Sequence, residues 1–302
     1  MMPYMNEIIN LCEKEKILFL KNESLKNYTT FKIGGNCKIL ISVDSEKSIS
    51  QIISFCNKKN IKYAIIGNGS NILVSDLGYD GVIMYVGKHF SKAYILEDNV
   101  IECQSGITLS KLCSFALENN LSGLEFAWGI PGTAGGAVYM NAGAYGGEMS
   151  DVVEEVTFFD GEKFQTRKKD ELNFSYRHSF FTDNDYTISK IRLKLKNGDY
   201  NNIKLKMDEL MQKRIDKQPL DYPSAGSTFK RPQGAFASAL IEQCGLKGCC
   251  VGGAEVSTKH SGFLINKNNA TFEDVINLID VVKAKVKNDT GYELELEPKI
   301  LN

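Results

Sequence analysis

The sequence has almost no excess of charge of either sign, and it lacks the cysteine spacing of a metal-binding protein. Its 302 residues carry 36 Lys and Arg against 37 Asp and Glu, so no overall field attracts nucleic acid or an anionic membrane. The eight cysteines include no C-x-x-C or C-x-x-H pair of zinc-site spacing. We therefore predict no metal site and no nucleic-acid partner, expect buried free thiols, and infer that any anionic ligand is bound locally.

A long apolar segment that could act as a signal peptide or a membrane span is also missing. Charged residues interrupt the first 22 residues, which predict an amphipathic helix of a cytoplasmic protein. The longest uncharged stretch, residues 126–147, contains seven glycines and Pro131, too many helix breakers for a lipid-exposed helix. We predict no membrane insertion and interpret this stretch as a system of buried loops.

Arginine is scarce, because only five of the 36 basic residues are arginines. They are Arg167, Arg177, Arg192, Arg214 and Arg231. Arg177 lies between aromatic residues in NFSYRHSFF (173–181), where its guanidinium could pair bidentately with a carboxylate or a phosphate. The alternative is an arginine stacked on Tyr176 as structural support, and the neighbouring His178 is expected to be structural.

Helical and strand-like segments alternate along the chain. Strand patterns occur at 37–43, 62–67, 81–87, 99–106, 151–160, 162–167, 185–195, 252–258 and 262–266, and helical patterns at 45–60, 108–120, 200–218, 235–245 and 271–289. The segment YELELEPKI (292–300) alternates leucine and glutamate, which predicts a strand with one acidic face. The mixture predicts an α+β protein, and a change of composition near residue 200 marks the start of a further α/β unit.

Two glycine-rich loops carry the clearest chemical signal. GNGSN (67–71) follows a strand pattern, and its glycines allow successive backbone N–H groups to surround an anion such as a pyrophosphate. It lacks the third glycine of a Rossmann loop and the ending of a Walker loop, and a plain hairpin turn is the alternative. The second loop, GIPGTAGGAVYMNAGAYGGE (129–148), favours a joint interpretation in which the pair encloses a flat aromatic cofactor with a diphosphate tail. A tightly packed crossover between strands is the alternative for this second loop.

Two further polar residues occupy positions where the ordinary interpretation is structural. Ser227 lies in the glycine turn PSAGSTFKRPQG, just before Lys230 and Arg231, where serines usually cap a turn or face solvent. Glu297 would by default be an exposed carboxylate on the last predicted strand. From the residues alone, neither one is assigned a catalytic role.

Seven motifs in a fixed order make the chain similar to a known family of flavoproteins. They are TTFKIGG (29–35), IIGNGSNILVSD (65–76), GLEFAWGIPGTAGGAVYMNAGAYGGE (123–148), SYRHSFF (175–181), PSAGSTFKRP (223–232), AEVSTKHSGFLIN (254–266) and ELEPK (295–299). Together they resemble the UDP-N-acetylenolpyruvoylglucosamine reductases, the MurB family of bacterial peptidoglycan synthesis, over nearly the whole chain. The 50 positions between Arg177 and Ser227 resemble the shorter of two forms of that family.

The resemblance implies an α+β FAD-binding fold of the vanillyl-alcohol-oxidase (PCMH) type. It divides the chain into FAD-binding lobe 1 (1–80), FAD-binding lobe 2 (81–200) and a C-terminal α/β substrate-binding domain (201–302), with the last strand free to return to the FAD region. The residues that it implies for FAD are Gly67, Asn68, Gly69, Ser70, Asn71, Gly132, Thr133, Gly135 and Gly136. The covalent flavin histidine of some relatives has no counterpart between residues 60 and 75, so we expect FAD to be bound non-covalently.

The resemblance also implies a reaction in two halves. NADPH reduces FAD, and hydride then passes to the enolpyruvyl group of UDP-N-acetylglucosamine enolpyruvate, giving UDP-N-acetylmuramate. Arg177 and Glu297 match the residues that polarise the substrate carboxylate, and Ser227 matches the serine that protonates the neighbouring carbon as a general acid. Weaker matches assign Tyr145, Tyr176, Lys230 and Arg231 to substrate binding.

The expected protein is therefore a cytoplasmic enzyme of cell-wall synthesis, acting in cell shape and division, whose partners are two small molecules, a UDP-sugar and NADPH. The resemblance implies no oligomeric state and no role for the adjacent Cys249 and Cys250. Two other interpretations stay open, a flavin oxidase or dehydrogenase of the same fold and a nucleotide-binding protein without redox activity.

Overall fold

The computed structural model describes residues 3–302, with side chains from residue 5 onward, so the first two residues of the predicted N-terminal helix lie outside it. The helices are α1 (Pro3–Glu15), α2 (Glu46–Lys59), α3 (Leu109–Glu118), α4 (Ala134–Tyr139), α5 (Tyr200–Lys217), α6 (Ala237–Gln243) and α7 (Phe272–Thr290). The strands are β1 (Leu18–Lys21), β2 (Cys37–Ser42), β3 (Tyr63–Ile66), β4 (Ile72–Val74), β5 (Tyr79–Tyr85), β6 (Ala93–Ile95), β7 (Val100–Gln104), β8 (Leu121–Ser122), β9 (Gly143–Ala144), β10 (Gly147–Glu148), β11 (Val153–Phe159), β12 (Phe164–Lys168), β13 (Thr187–Lys194), β14 (Lys196–Asn197), β15 (Cys250–Val251), β16 (Ala254–Val256), β17 (Leu264–Asn266) and β18 (Lys299–Leu301). Within residues 3–302, no helix is both long enough and apolar enough to span a membrane.

The described chain divides into two compact units. The first consists of residues 3–21, 39–68 and 81–212, and the second of residues 22–38, 69–80 and 213–302. The first glycine-rich loop is therefore shared, with Gly67 and Asn68 in the first unit and the remainder in the second. The predicted lobes at 1–80 and 81–200 and the predicted domain at 201–302 were defined by what each part binds, whereas the two units are defined by compactness. The predicted division stays a prediction.

One sheet of the first unit has the strand order β1-β2-β5-β3. Helix α2 packs on it because Ile49, Ile52, Ile53 and Cys56 recur at helical spacing and bury one face with the isoleucines of β2. The helix starts at a capping box on Ser45 and ends at an asparagine in the left-handed conformation. Strand β5 lies between β2 and β3 and runs parallel to β3.

The second sheet of the first unit has the order β12-β11-β13-β7-β6, and all its neighbouring strands are antiparallel. Its inner face carries Val156 and Ile191, which share a core with Leu112 of α3, Ala137 of α4 and Met207 of α5. Helix α4, the short helix inside the second glycine-rich loop, is thus fixed by burial on this sheet.

The second unit is built around the antiparallel sheet β15-β16-β17 and helices α6 and α7. Helix α7 begins at Thr271, whose hydroxyl accepts a hydrogen bond from Asp274 N–H, and ends at Gly291 with φ 78°. Its buried residues, Val275, Val282 and others, share a core with β16 and β17. The final strand β18 pairs in parallel with β4, which directly follows the first glycine-rich loop.

Two sequence predictions are wrong at this level. The segment 292–300 is not a continuous strand, because residues 292–297 make only an isolated bridge, Leu296 with Phe229, and regular pairing begins at Lys299, after Pro298. Residues 134–139 form a helix rather than a loop, because Thr133 caps it and its alanines are buried. The periodic helices at α2, α3, α5, α6 and α7 are confirmed.

Candidate active site

The two glycine-rich loops are in contact within the first unit. The Asn68 side-chain Nδ2 donates a hydrogen bond of 2.5 Å to the carbonyl of Pro131. A Cβ atom at Gly67 would lie 2.3 Å from Thr133 Oγ1, so a side chain at position 67 would displace the second loop. The two loops therefore lie side by side, as they must if they enclose one cofactor together.

The backbone of these loops also presents donors that the described protein leaves unused. Among residues 3–302, no group accepts a hydrogen bond from the N–H of Asn68, Gly132 or Thr133. Thr133 is nevertheless 4% exposed, and a buried N–H without an acceptor is costly. Oxygens of a bound anion would satisfy such donors, so this part of the first unit fits a diphosphate.

The two adjacent glycines of α4, Gly135 and Gly136, have different surroundings. A Cβ at Gly135 would lie 2.7 Å from Cβ of Ser105, whereas one at Gly136 would meet only Thr133 Oγ1, at 3.5 Å. Gly135 is buried and Gly136 is exposed. Packing against Ser105 therefore requires glycine at position 135. At position 136 the chain itself leaves open space, which a bound ligand could occupy.

The second half of the first loop is equally constrained in the second unit. Gly69 has φ +59°, and a Cβ there would lie 2.0 Å from the carbonyl oxygen of Tyr28. The Gly69 carbonyl accepts a hydrogen bond of 3.2 Å from Thr30 N–H, but within residues 3–302 the N–H groups of Gly69 and Ser70 have no acceptor. Residues 69 and 70 thus also present backbone donors at a position where only glycine fits.

Arg177 projects from a strained hairpin. Asn173 and Arg177 have φ +47° and +56°, values that are rare for residues with a side chain. Asn141, fully buried, donates from Nδ2 to the Ser175 carbonyl and accepts from Ser150 N–H. The Arg177 guanidinium carbon lies 5.1 Å from the centre of the half-exposed Tyr176 ring, and its role in binding or in structural support stays a prediction.

His178 supports that hairpin, as the sequence analysis expects. Its Nδ1 lies 3.2 Å from the Asn173 carbonyl oxygen, and its Nε2 lies 3.0 Å from both carboxylate oxygens of Asp183. Ser179 adds a 2.7 Å hydrogen bond from its hydroxyl to the Tyr139 carbonyl. The ring is therefore occupied on both sides by local contacts.

Tyr145 occupies a second strained position. It is the first residue of the two-residue turn between β9 and β10, and both Tyr145 (φ +55°) and Gly146 (φ +90°) have positive φ. This geometry matches the twist of an antiparallel pair but disfavours a tyrosine. Tyr145 is 45% exposed. The strained backbone therefore places an aromatic side chain at the surface rather than in the core.

Ser227 and Glu297 are brought to adjacent backbone segments of the second unit. Residues 228–230 run beside residues 295–297, because Glu297 N–H donates to the Thr228 carbonyl at 2.9 Å and Lys230 N–H to the Glu295 carbonyl at 2.8 Å. Thr228 is buried, and its hydroxyl accepts from Leu264 N–H. Ser227 itself is half-buried and follows Gly226 in the left-handed conformation. The pairing therefore brings Thr228, the residue after Ser227, against Glu297, and the convergence of the Ser227, Glu297 and Arg177 side chains stays a prediction.

The predicted phosphate-binding residues lie just beyond Ser227. Lys230 Nζ forms an ion pair with Glu295, and the Arg231 guanidinium carbon lies 4.5 Å from the Phe236 ring centre. The eight cysteines are all free thiols, of which six are buried. The expectation of burial is wrong for the adjacent pair, because Cys249 is half-buried and Cys250 is exposed.

A titratable group also supports the turn that holds Thr228. His260 Nδ1 accepts a hydrogen bond of 3.1 Å from Gly262 N–H, and the Gly262 carbonyl accepts from Thr228 N–H at 2.8 Å. Burial is the main cause that lowers the pKa of His260 below 6.5, its ordinary value, and nearby Lys247 acts in the same direction. Burial therefore favours the neutral imidazole, whose Nδ1 accepts from Gly262 N–H on the side of the turn.

Three residues that position the site were missed by sequence reasoning. Thr30 lies in TTFKIGG, Thr228 in PSAGSTFKRP and Asn141 in the glycine-rich stretch NAGAYGG, and none of them was assigned a role. Only Asn141 carried a local signal, since an asparagine beside glycines is typical of a left-handed turn, and it has φ +42°. The threonines act through backbone contacts with distant residues, which leave no trace in local sequence.

Comparison with known proteins gives consistent matches along the chain. Residues 37–163 match an FAD binding domain, and residues 218–301 match the C-terminal domain of UDP-N-acetylenolpyruvoylglucosamine reductase. The chain is similar to the UDP-N-acetylenolpyruvoylglucosamine reductase of Clostridium novyi (strain NT), with 48% identity over 97% of this chain and 94% of the relative. It is 47% identical to that of Caldanaerobacter subterraneus subsp. tengcongensis, over 95% of each chain.

A solved structure gives the same result in three dimensions. The crystal structure of UDP-N-acetylenolpyruvylglucosamine reductase from Thermus caldophilus superposes with a TM-score of 0.80 at 33% identity, covering 95% of this chain and 99% of that one. The FAD-binding domain and the paired glycine-rich loops define a flavin-dependent oxidoreductase. The chain belongs to the UDP-N-acetylenolpyruvoylglucosamine reductase family.

This membership confirms several predictions made from the sequence. They are the resemblance itself, the α+β FAD-binding fold of the vanillyl-alcohol-oxidase type, the oxidoreductase class, and FAD as cofactor with NADPH as hydride donor. The partners are small molecules. The assignment of individual residues to cofactor and substrate stays a prediction.

Proposed function

We propose that this enzyme reduces UDP-N-acetylglucosamine enolpyruvate to UDP-N-acetylmuramate in peptidoglycan precursor synthesis, and that Arg177, Ser227 and Glu297 act in the second half-reaction. The identity with reductases of this family over almost the full length supports the overall reaction. The observation that carries the residue assignment is the pairing of segments 228–230 and 295–297, because it makes the proposed general acid a neighbour of the proposed carboxylate-polarising acid.

When bound, FAD would supply hydride-transfer chemistry between NADPH and the terminal carbon of the enolpyruvyl group. The residues assigned to hold it are the two glycine-rich loops, and the unused N–H groups of Asn68, Gly132 and Thr133 support this assignment for the diphosphate. Gly136, exposed and free of crowding by the chain, supports close approach of the cofactor at α4. Thr133 serves both the loop contact and the helix cap.

Arg177 and Glu297 are assigned to the substrate carboxylate. Hydride addition pushes electron density toward this group, so it becomes more negative in the transition state than in the bound substrate. The Arg177 guanidinium, as a fixed donor directed at it, therefore lowers the barrier rather than merely tightening binding, and Glu297 would contribute in the same way only in its protonated form, which donates an O–H. The left-handed backbone at Arg177 supports a functional assignment, because strain of about 1–3 kcal/mol at a residue with a side chain persists only where the surroundings enforce it.

Ser227 is assigned as the general acid that protonates the carbon next to the carboxylate. A serine hydroxyl is a weak acid, but the electron-rich carbon of an enediolate-like species is a strong base. Proton transfer between them is therefore chemically balanced, with the hydroxyl proton forming the new C–H bond and the serine oxygen regaining a proton from solvent.

The remaining assignments concern the rest of the UDP-sugar. Tyr145 and Tyr176 present half-exposed rings, and Lys230 and Arg231 provide positive charge for the diphosphate. Lys230 would exchange its ion pair with Glu295 for a phosphate. We also place the enzyme in the cytoplasm, since its eight free cysteines fit a reducing compartment and its substrates are cytosolic nucleotides.

Stopped-flow spectroscopy of the purified enzyme tests the function. NADPH should bleach the flavin absorbance, and UDP-N-acetylglucosamine enolpyruvate should restore it much faster than oxygen does. Restoration by oxygen alone would favour an oxidase of the same fold. A colourless protein that binds no flavin would favour nucleotide binding without redox activity.

A further inference from the structure

Thr30 makes two hydrogen bonds that join segments far apart in the sequence. Its N–H donates to the Gly69 carbonyl at 3.2 Å, and its hydroxyl donates to the Ser224 carbonyl at 2.7 Å. The Gly69 carbonyl belongs to the first glycine-rich loop, and Ser224 lies three residues before Ser227. All of these residues belong to the second unit. A single half-buried residue thus connects the cofactor loop to the turn that carries the proposed general acid.

The turn around Ser227 is held at both ends and open in the middle. Its far end is held by Thr228, and its near end by the bridge between Ser224 and Ile265 and by the hydroxyl of Thr30. Between these ends lies Gly226, at φ +77°, where an added Cβ would meet no atom within 4 Å. The position of the Ser227 hydroxyl therefore depends on where the two ends are fixed.

The same half of the loop also contacts the segment that carries Glu297. Asn71 Nδ2 donates to the Glu297 carbonyl at 3.4 Å, and the Asn71 carbonyl accepts from Lys299 N–H at 3.0 Å. Residues 69–71 are therefore bonded toward both proposed acids. A shift in the backbone of residues 69–71 can therefore reach each of these two residues through a few covalent and hydrogen bonds.

We propose that Thr30 is a positioning residue that couples residues 69–71 of the cofactor loop to the turn bearing Ser227. Filling the loop with the flavin diphosphate fixes the Gly69 peptide, Thr30 transmits that position to the Ser224 carbonyl, and Ser227 is thereby placed for proton transfer. This inference rests on the proposed function, since Ser227 is the general acid in that proposal. Thr30 itself touches neither the substrate nor the reacting atoms.

The test separates the two half-reactions in Thr30→Val, which keeps the shape and the backbone N–H but removes the hydroxyl donor. Flavin reduction by NADPH should stay within about twofold of the wild-type rate, while reoxidation by the UDP-sugar should slow about tenfold, the effect of about 1.4 kcal/mol of lost transition-state stabilisation. Thr30→Ser restores the donor and should recover most of the rate. Thr290→Val is the matched control, because it removes a hydroxyl bonded to the Val286 carbonyl in the same unit, and it should change neither half-reaction.

Hydrogen exchange gives a readout that does not depend on turnover. Adding FAD to the wild-type apoprotein should protect the amides of residues 67–71 and also those of residues 224–228. In Thr30→Val, protection at 67–71 should persist while protection at 224–228 is lost. If Thr30→Val does not yield folded protein, Thr30→Ala removes the same hydroxyl with a smaller side chain and serves in its place.

Equal slowing of both half-reactions, failure of Thr30→Ser to recover the rate, or unchanged protection at 224–228 would each overturn the coupling. If the wild-type flavin is not reoxidised by the UDP-sugar, the proposed function is wrong, and the hydrogen-exchange comparison then decides the coupling by itself.

Discussion

At the scale of single residues, the proposed chemistry depends on backbone positions more than on unusual side chains. Ser227 is placed next to Glu297 by hydrogen bonds of the flanking main chain, and Arg177 and Tyr145 are presented by left-handed backbone. Single substitutions should therefore affect one step of the reaction and leave the fold in place.

Ser227→Ala should uncouple the two half-reactions. Flavin reduction by NADPH should be unchanged, whereas reduction of the UDP-sugar should slow by about 10²–10⁴-fold, as expected when a general acid is lost. Stopped-flow measurement of both steps checks this. Ser50→Ala, which removes a hydroxyl on the exposed face of α2, is the control. Near-normal turnover of Ser227→Ala would remove this serine from the role.

Arg177→Lys should lose much more activity than its conserved charge suggests. A lysine cannot form the bidentate pair with a carboxylate, and losing charge-assisted hydrogen bonds should lower kcat about tenfold to a hundredfold. Arg167→Lys is the matched control, because Arg167 also stacks on an aromatic ring, that of Phe180 at 4.0 Å. Equal activity of the two variants would mean that charge alone matters at position 177.

His260 should make stability depend on pH in a defined direction. Burial lowers its pKa below 6.5 in the folded protein, so in mildly acidic solution the unfolded chain binds a proton that the folded one does not. Stability is therefore lost as the pH falls from about 6.5 through the folded pKa, and it is retained above that window. His260→Asn keeps an acceptor for Gly262 N–H but does not titrate.

The measurement is Tm at about pH 7.5 and about pH 5.5 for the wild type and His260→Asn. The decrease between the two conditions should be smaller in the variant. An identical decrease in both proteins would show that other groups account for the acid sensitivity.

At the scale of elements, helix α4 illustrates how a loop sequence becomes a site. Thr133 caps it, Gly135 packs against Ser105, and Gly136 stays exposed. Periodicity predicted α2 and α7 correctly because their apolar faces span several turns, whereas α4 has six residues and all of its first four are alanine or glycine. Its helical state is decided by the core that receives it.

Gly136→Ala should separate cofactor binding from stability. The added methyl group meets no crowding and reduces the freedom of the unfolded chain, so Tm of the apoprotein should stay equal or rise. Affinity for FAD, measured by quenching of flavin fluorescence, should fall because the methyl group occupies the space assigned to the cofactor. Gly135→Ala should instead destabilise the protein by about 1–3 kcal/mol, since its Cβ collides with Ser105. Unchanged FAD affinity in Gly136→Ala would remove Gly136 from the site.

At the scale of the whole molecule, the cofactor contributes to stability through mass action. A ligand that binds only the folded state stabilises it by about 2.7 kcal/mol at a free concentration of 100 times Kd. The N–H of the buried Thr133 has no acceptor among residues 3–302, so the apoprotein carries an energetic cost there that bound FAD would remove.

The purified protein should therefore be yellow, and its Tm should rise with added FAD by several degrees. Because no histidine lies between residues 60 and 75, heat or acid should release all flavin into the filtrate. Flavin that remains with the precipitated chain would contradict non-covalent binding. AMP at the same concentration is the control ligand, since it lacks the diphosphate and the flavin.

Taken by itself, the sequence determined the family, the cofactor, the long helices and the glycine positions, because these depend on local residue types and spacing. Contacts between distant parts of the chain determine that 292–297 is not a regular strand, that 134–139 is a helix, and that the segment after Ser227 pairs with the segment containing Glu297. The hydrogen bond from the Thr30 hydroxyl to the Ser224 carbonyl spans 194 positions. Such hydrogen bonds to the backbone of a distant segment depend on how the entire chain packs, so local residue types do not reveal their partners.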